Sequence, residues 1–279
     1  MAAEEIAIQP DTDTGRESCG CLRDDSAAVA LAEKLRVRWP LSTFLVSHRY
    51  GFIYCPIPKN ACSSLKRWYV LTLGVTPQDP AWPKDAHAYC QERALTDPAD
   101  LERGYFKFVF VRNPWHRLVS GYVQKFVQRW EHPGSPSRPV VEQVYRSRGL
   151  PPDHERSISF REFVEYVEAA EDRALDPHWK PQYLFLGNVV FDFMGRFENL
   201  TADFESIIER LGVQERYLFS INQISYGDEV RECVADWPAT RLRALTNCPH
   251  YRFFYTDDLR KRVARRYARD VEMLGYTFE

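Results

Sequence analysis

No run of about 18 apolar residues occurs anywhere in the 279-residue sequence, so no segment reads as a membrane-spanning helix. The N-terminus, MAAEEIAIQPDTDTGRESCGCLRDD, has no basic stretch leading into an apolar core and does not read as a secretion signal. There is also no excess of positive charge. The formal net charge is −2, which gives no global basic field for nucleic acid. The seven cysteines are odd in number and irregular in spacing, which argues against a disulfide framework. Cys19 and Cys21 have no second cysteine pair with which to build a zinc site, so no metal is expected. No internal repeat is present. These absences predict a soluble, cytoplasmic protein with a flexible polar arm over residues 1–26 and one domain over 27–279.

The pattern that is present is an alternation of strands and helices. Residues 29–39 have helical spacing and stop at Pro40. Residues 41–55 predict two short strands turned at Arg49 to Gly51. Ser63 to Leu73 predicts a helix with Leu65, Trp68, Tyr69 and Leu73 on one face. Tyr105 to Val111 predicts a strand apolar on both faces, as a central strand requires. Asn113 and Pro114 then suit the N-cap and first residue of a helix reaching about Trp130. Residues 131–157 are rich in Pro and Arg and read as a long excursion with room for one short helical piece. Ser159 and Glu162 form a capping box, Asn188 to Gly195 predicts another strand, and Thr201 to Leu211 predicts a helix. A last helix is expected from Thr256 to Gly275. This order predicts an α/β sandwich around a parallel sheet, in which ligands sit at the carboxyl ends of strands.

Two unusual loops fall at such ends. In PIPKNACSSLKRW, Lys59 precedes a row of small residues that opens a helix. Backbone N–H groups from Asn60, Ala61, Cys62, Ser63 and Ser64, with the serine hydroxyls, suit an anion at a helix N-terminus. The loop is not the nucleoside-triphosphatase loop, because its lysine comes first and it has no glycine. In FVFVRNPWHRLVSGYVQKF, Arg112 ends a strand and Ser120 lies on the following helix, so guanidinium and hydroxyl suit a second anion. Arg117 reads as a solvated or salt-bridged residue.

Together these two segments resemble the cofactor signatures of sulfotransferases that use 3′-phosphoadenosine 5′-phosphosulfate (PAPS). The resemblance is to the carbohydrate group that includes the HNK-1 and chondroitin 4-O enzymes, sulfotransferase family 2. HWKPQ, FDFMGRFENLTADFESIIERLG and the C-terminal FFYTDDLRKRVARRYARDVEMLGYTF are similar to later blocks of that group, in order. The resemblance runs from about residue 50 to the C-terminus. It implies a P-loop-like three-layer sandwich, with Lys59 and residues Asn60 to Leu65 at the 5′-phosphosulfate and Arg112 and Ser120 at the 3′-phosphate. Arg196, in GRFENL, reads either as a further nucleotide contact or as part of a structural salt bridge.

The implied reaction is metal-free in-line transfer of a sulfuryl group to a hydroxyl or amine, with 3′-phosphoadenosine 5′-phosphate (PAP) as product. The acceptor is expected to be a carbohydrate or small natural product. His87, between the two loops, and His178, in HWKPQ, are both candidates for its base, and Asp85 and Glu198 are carboxylate alternatives. The family often has glycine where Ala61 stands and aspartate where Asn113 stands. The animal enzymes are Golgi-anchored, so a chain without an anchor implies a bacterial-type member acting on a cytosolic acceptor. Residues 131–157 are expected to choose it. The alternative is a non-catalytic nucleotide- or glycan-binding relative of the same fold.

Overall fold

The computed structural model describes residues 37–221 and 223–278. The polar arm, Cys19 and Cys21 lie outside the described residues, as does most of the helix expected over 29–39. Strands β1 (Leu45–Ser47) and β2 (Phe52–Cys55) form a hairpin; helices α1 (Cys62–Thr72) and α2 (Ala86–Gln91) follow. Strand β3 (Phe106–Val111) leads into α3 (Pro114–Tyr122), which continues as one π-helical stretch, Val123–Gln128. Next come α4 (Ser137–Ser147), α5 (Phe160–Ala169), the short α6 (Tyr183–Leu186), β4 (Phe193–Arg196) and α7 (Leu200–Leu211). A two-residue bridge, β5 (Tyr226–Gly227) with β6 (Cys248–Pro249), flanks α8 (Ala239–Arg243), and α9 (Asp257–Arg266) and α10 (Ala268–Leu274) complete the described fold.

The main sheet has the order β1-β2-β3-β4. Pairs β2–β3 and β3–β4 are parallel, as the alternation of strands and helices predicts, whereas β1 is antiparallel to β2. The sheet is therefore mixed at its edge, because a turn of four residues can only return the chain antiparallel. Side chains alternate across it. Phe52, Tyr54, Phe108 and Phe110 pack against Leu65 and Trp68 of α1 and Phe204 and Ile207 of α7. On the other face, Ile53, Cys55 and Val109 meet Phe44, Phe185 and Leu186. A third cluster joins α3, α5 and α9 through residues such as Leu118, Tyr122, Phe163, Leu259 and Val263.

Local signals explain most element ends. Asn113 caps α3, its Oδ1 accepting from Trp115 N–H (3.1 Å) and His116 N–H (3.4 Å). The Ser159–Glu162 capping box is formed in full. Two expectations change. The strand from Asn188 pairs only from Phe193, although Asp192 already exchanges bonds with Lys107. The last helix breaks at Tyr267, whose hydroxyl donates to Trp179 C=O (2.5 Å). The helical piece expected within 131–157 is α4, a full packed helix whose Val140, Val141, Val144 and Tyr145 are buried.

Candidate active site

Pro56 to Ala61 carry the chain from β2 into α1, and two residues there have left-handed backbone: Lys59 (φ +73°) and Ala61 (φ +59°). Ala61 is the N-cap, and the first intrahelical bond runs from Leu65 N–H to Ala61 C=O (3.0 Å). The N–H groups of Cys62, Ser63 and Ser64 precede that bond, at the positive end of the helix dipole, and the first turn has no acidic residue. This is the geometry of an anion seat. The left-handed backbone also explains why glycine is common at position 61 in the resembling family. Ala61→Gly is expected to raise stability by up to about 1 kcal/mol. Relief of roughly 1–2 kcal/mol of left-handed strain outweighs roughly 0.4–1 kcal/mol of added chain entropy. Urea denaturation measures it, and a destabilised variant contradicts the strain.

Lys59 extends its ammonium to Gln124 Oε1 (2.8 Å). Burial, then the Arg112 guanidinium, push its pKa down to about 7, with Lys125 and Arg117 adding to the shift. An anion seated beside Lys59 favours the protonated form. Its affinity is thus highest below pH 7 and falls as pH rises through about 7 and the empty site loses its proton. Calorimetry of an anionic nucleotide in buffers of different ionisation enthalpy should show proton uptake at pH 8 and little at pH 6. Uptake of equal size at both pH values contradicts the assignment.

Arg112 follows β3. Its main chain is held by one side chain: Gln182 Oε1 accepts from Arg112 N–H (3.0 Å) and Gln182 Nε2 donates to Arg112 C=O (2.8 Å). The guanidinium donates to Lys59 C=O (2.8 Å) and stacks 3.8 Å from the Phe197 ring centre. Its Nε–H is buried without a partner. Burial lowers the guanidinium pKa to about 10. Ser120 and His116 of α3 face the same space; His116 Nε2 lies 3.2 Å from Tyr226 Oη. Burial and Arg112 push His116 down to about 3, so it is neutral.

Lys59, Ser63, Ser64, Arg112 and Ser120 line one cavity of about 1200 Å³, together with His87 and His178. Single-ligand pockets span roughly 300–1,000 Å³, so this one has room for a nucleotide and a second molecule. Ala61 and Cys62 also reach the wall, whereas Asn60 and Leu65 do not. Asn60 is buried, donating from Nδ2 to Phe110 C=O (2.9 Å) and Gln182 Oε1 (2.7 Å), and its N–H goes to Ile57 C=O. Leu65 is a core residue of α1. Both shape the loop instead of contacting a ligand.

Arg196 takes a structural place. It lies outside the cavity, donates to Leu274 C=O (2.9 Å) and stacks on Tyr276. The carboxylates have other work as well. Asp85 caps α2, accepting from His87 N–H and Ala88 N–H, and Glu198 accepts from Asn113 N–H and Tyr276 Oη–H. No residue of 131–157 lines the cavity; Arg216, Leu218 to Ile221, Gln223, Ile224 and Tyr226 form that wall.

Arg117 differs most from its sequence reading. It is buried and donates to Pro58 C=O (3.0 Å), Lys180 C=O (2.7 Å) and Pro177 C=O (3.0 Å). Gln124, Lys125 and Asp176 were not singled out in the sequence. The first two sit on the π-helical stretch, which no spacing rule marks in advance.

The two loops lie at adjacent carboxyl ends of parallel strands and open on one cavity, the place where open α/β sheets hold their ligands. The chain belongs to the sulfotransferase family, whose model matches residues 42–277. It is 32% identical over 192 residues to carbohydrate sulfotransferase 14 of Homo sapiens, covering 67% of this chain and 51% of that protein. The Danio rerio protein of the same name is 30% identical over 228 residues (78% of this chain, 61% of that one). Human carbohydrate sulfotransferase 9 is 26% identical over 241 residues, with 78% and 52% covered. The chain thus spans little more than half the length of the curated relatives it matches. No solved structure matches. Among the described residues, no helix is long and apolar enough to cross a membrane.

Proposed function

We propose that the protein transfers a sulfuryl group from PAPS to a hydroxyl of a carbohydrate, releasing PAP. One observation carries this reading. Lys59 and the first turn of α1 share a cavity with Arg112, whose buried Nε–H has no protein partner, and with Ser120. A buried unpaired donor is costly and fits an anion supplied from outside. These residues fit a nucleotide with a 3′-phosphate: Arg112 and Ser120 would hold that phosphate, and Lys59 with the N–H groups of Cys62 to Ser64 would hold the phosphosulfate. The names of the relatives favour a sugar acceptor.

In the transfer, the acceptor oxygen bonds to sulfur while the S–O bond to the 5′-phosphate breaks, and its electron pair leaves on the phosphate oxygen. Lys59 and the α1 N-terminus face that growing charge, which is where a fixed cation lowers the barrier most. The test is PAP release from PAPS in the presence of a panel of desulfated glycans and simple glycosides. Glycan-dependent release that Arg112→Ala abolishes supports the reading. PAPS turnover with no acceptor in the panel, beside turnover with a phenol or amine, redirects the acceptor class.

A further inference from the structure

Three histidines line the cavity; His116 lies against Tyr226 Oη, and the surroundings of His87 and His178 differ. On α2, both ring nitrogens of His87 are engaged. Lys66 Nζ lies 3.2 Å from its Nδ1 and Ser63 Oγ lies 3.0 Å from its Nε2. An ammonium has only protons to give, so Nδ1 must be the acceptor and its lone pair is taken by Lys66. The remaining nitrogen carries the proton and donates to Ser63. Burial and Lys66 push this ring down to about 4, which fits a neutral, hydrogen-bonded side chain.

His178 is arranged the opposite way. Its Nδ1 lies 2.6 Å from Asp176 Oδ1, and the same carboxylate accepts from His178 N–H (2.9 Å). A carboxylate accepts only, so Nδ1 carries the proton and the lone pair is on Nε2. The ring lines the cavity.

The turn carrying it is fixed from two sides. Arg117 binds Pro177 C=O and Lys180 C=O, on either side of His178, and also Pro58 C=O, next to Lys59. Gly121 lets α3 press against the same turn: a Cβ there would sit 3.3 Å from His178 C=O. One guanidinium therefore holds the Lys59 loop and the His178 turn in a single register. The charged groups facing His178 are Asp176 from its own turn, Lys125 from the π-helical stretch and Lys59 from the first loop; His87 lies across the cavity on α2.

We infer that His178 is the base that takes the acceptor proton, and that Asp176 is the positioning residue that fixes its tautomer. This rests on the sulfuryl-transfer reading above. The acceptor O–H proton moves to His178 Nε2 as the oxygen bonds to sulfur and the phosphate leaves with the electron pair of the broken S–O bond. His87 is left to tie α2 to the first turn of α1 through Ser63 and Lys66.

Three variants test it: His178→Gln, His87→Gln and Asp176→Asn, each assayed for kcat, KM and PAP affinity. His178→Gln is expected to lower kcat by about 10²–10⁴-fold with PAP affinity within about twofold of wild type. Asp176→Asn should lower kcat with little change in KM, because an amide can donate to Nδ1 and so favours the wrong tautomer. It should also shift the acidic limb of the pH–kcat profile, which simple loss of packing would not do. Asp176→Glu should recover part of the rate. His87→Gln is expected to lower kcat far less than His178→Gln does.

Large loss in His87→Gln beside near-normal His178→Gln overturns the assignment, as does normal kcat in both. An Asp176→Asn variant with a fallen melting temperature and an unmoved pH profile overturns the positioning role. PAP binding separates the two levels of failure. Wild-type protein that binds no PAP removes the transfer reading itself, whereas PAP bound normally by an active His178→Gln removes only the base.

Discussion

Lys59→Ala is expected to lower sulfuryl transfer by about 10²–10³-fold while the protein stays folded. The rate loss follows from position. Lys59 sits where the loop enters α1, in the cavity that Arg112 and Ser120 share, and a leaving phosphate next to it would gain a full charge. The preserved fold follows from its pKa. Burial and Arg112 bring Lys59 from 10.5 to about 7, so holding it protonated in the native state is unfavourable. Between about 7 and 10.5 the unfolded chain binds the extra proton, so this residue's contribution to stability improves as pH rises through that window. At pH 6 to 7 alanine should therefore match or exceed the wild-type melting temperature. Only Gln124 loses a hydrogen bond, and it lines an open cavity. Unchanged turnover in a folded Lys59→Ala protein contradicts the assigned role.

Arg117→Met should have the largest effect on stability, a loss of roughly 3–5 kcal/mol. Three carbonyls from two segments lose their donor, and the buried Asp270 loses a nearby cation. Asp270 in turn accepts from Gln182 N–H (2.7 Å) and Tyr183 N–H (2.8 Å), so the damage reaches the side chain that braces Arg112. At roughly 2–4 °C per kcal/mol for a chain of this size, the melting temperature should fall by about 10 °C. A fall of only a degree or two would mean that the carbonyls are satisfied some other way. An Arg117→Lys variant should recover little, since one ammonium cannot span carbonyls that a planar fork reaches together.

Much of this was legible in residues whose chemistry is local. The capping box at Ser159 and Glu162, the cap at Asn113 and the apolar alternation of β3 act within one element, so spacing alone exposes them. The positions of the two loops were legible for the same reason, since each is a strand end followed by a helix start. What stayed hidden depends on distant contact. Arg117 looks like any helical arginine until the Pro58 and Pro177–Lys180 carbonyls arrive beside it. Arg196 is the last residue of the edge strand β4 and turns toward Tyr276, because the C-terminal segment packs there. Gln124 and Lys125 face the cavity from a π-helical stretch, which shifts the register that an α-helical reading assigns. The wall formed by Arg216, Leu218 to Ile221, Gln223, Ile224 and Tyr226 carries no motif, whereas no residue of 131–157 reaches the cavity.

The most direct test of the central claim is calorimetric titration with PAP, beside ADP and ATP, on wild type and Arg112→Ala. The predicted result is micromolar PAP binding, at least about tenfold weaker for ADP and ATP and lost in the variant, because only PAP offers a 3′-phosphate to Arg112 and Ser120. Equal affinity for ADP and PAP, or PAP binding that survives Arg112→Ala, would contradict it.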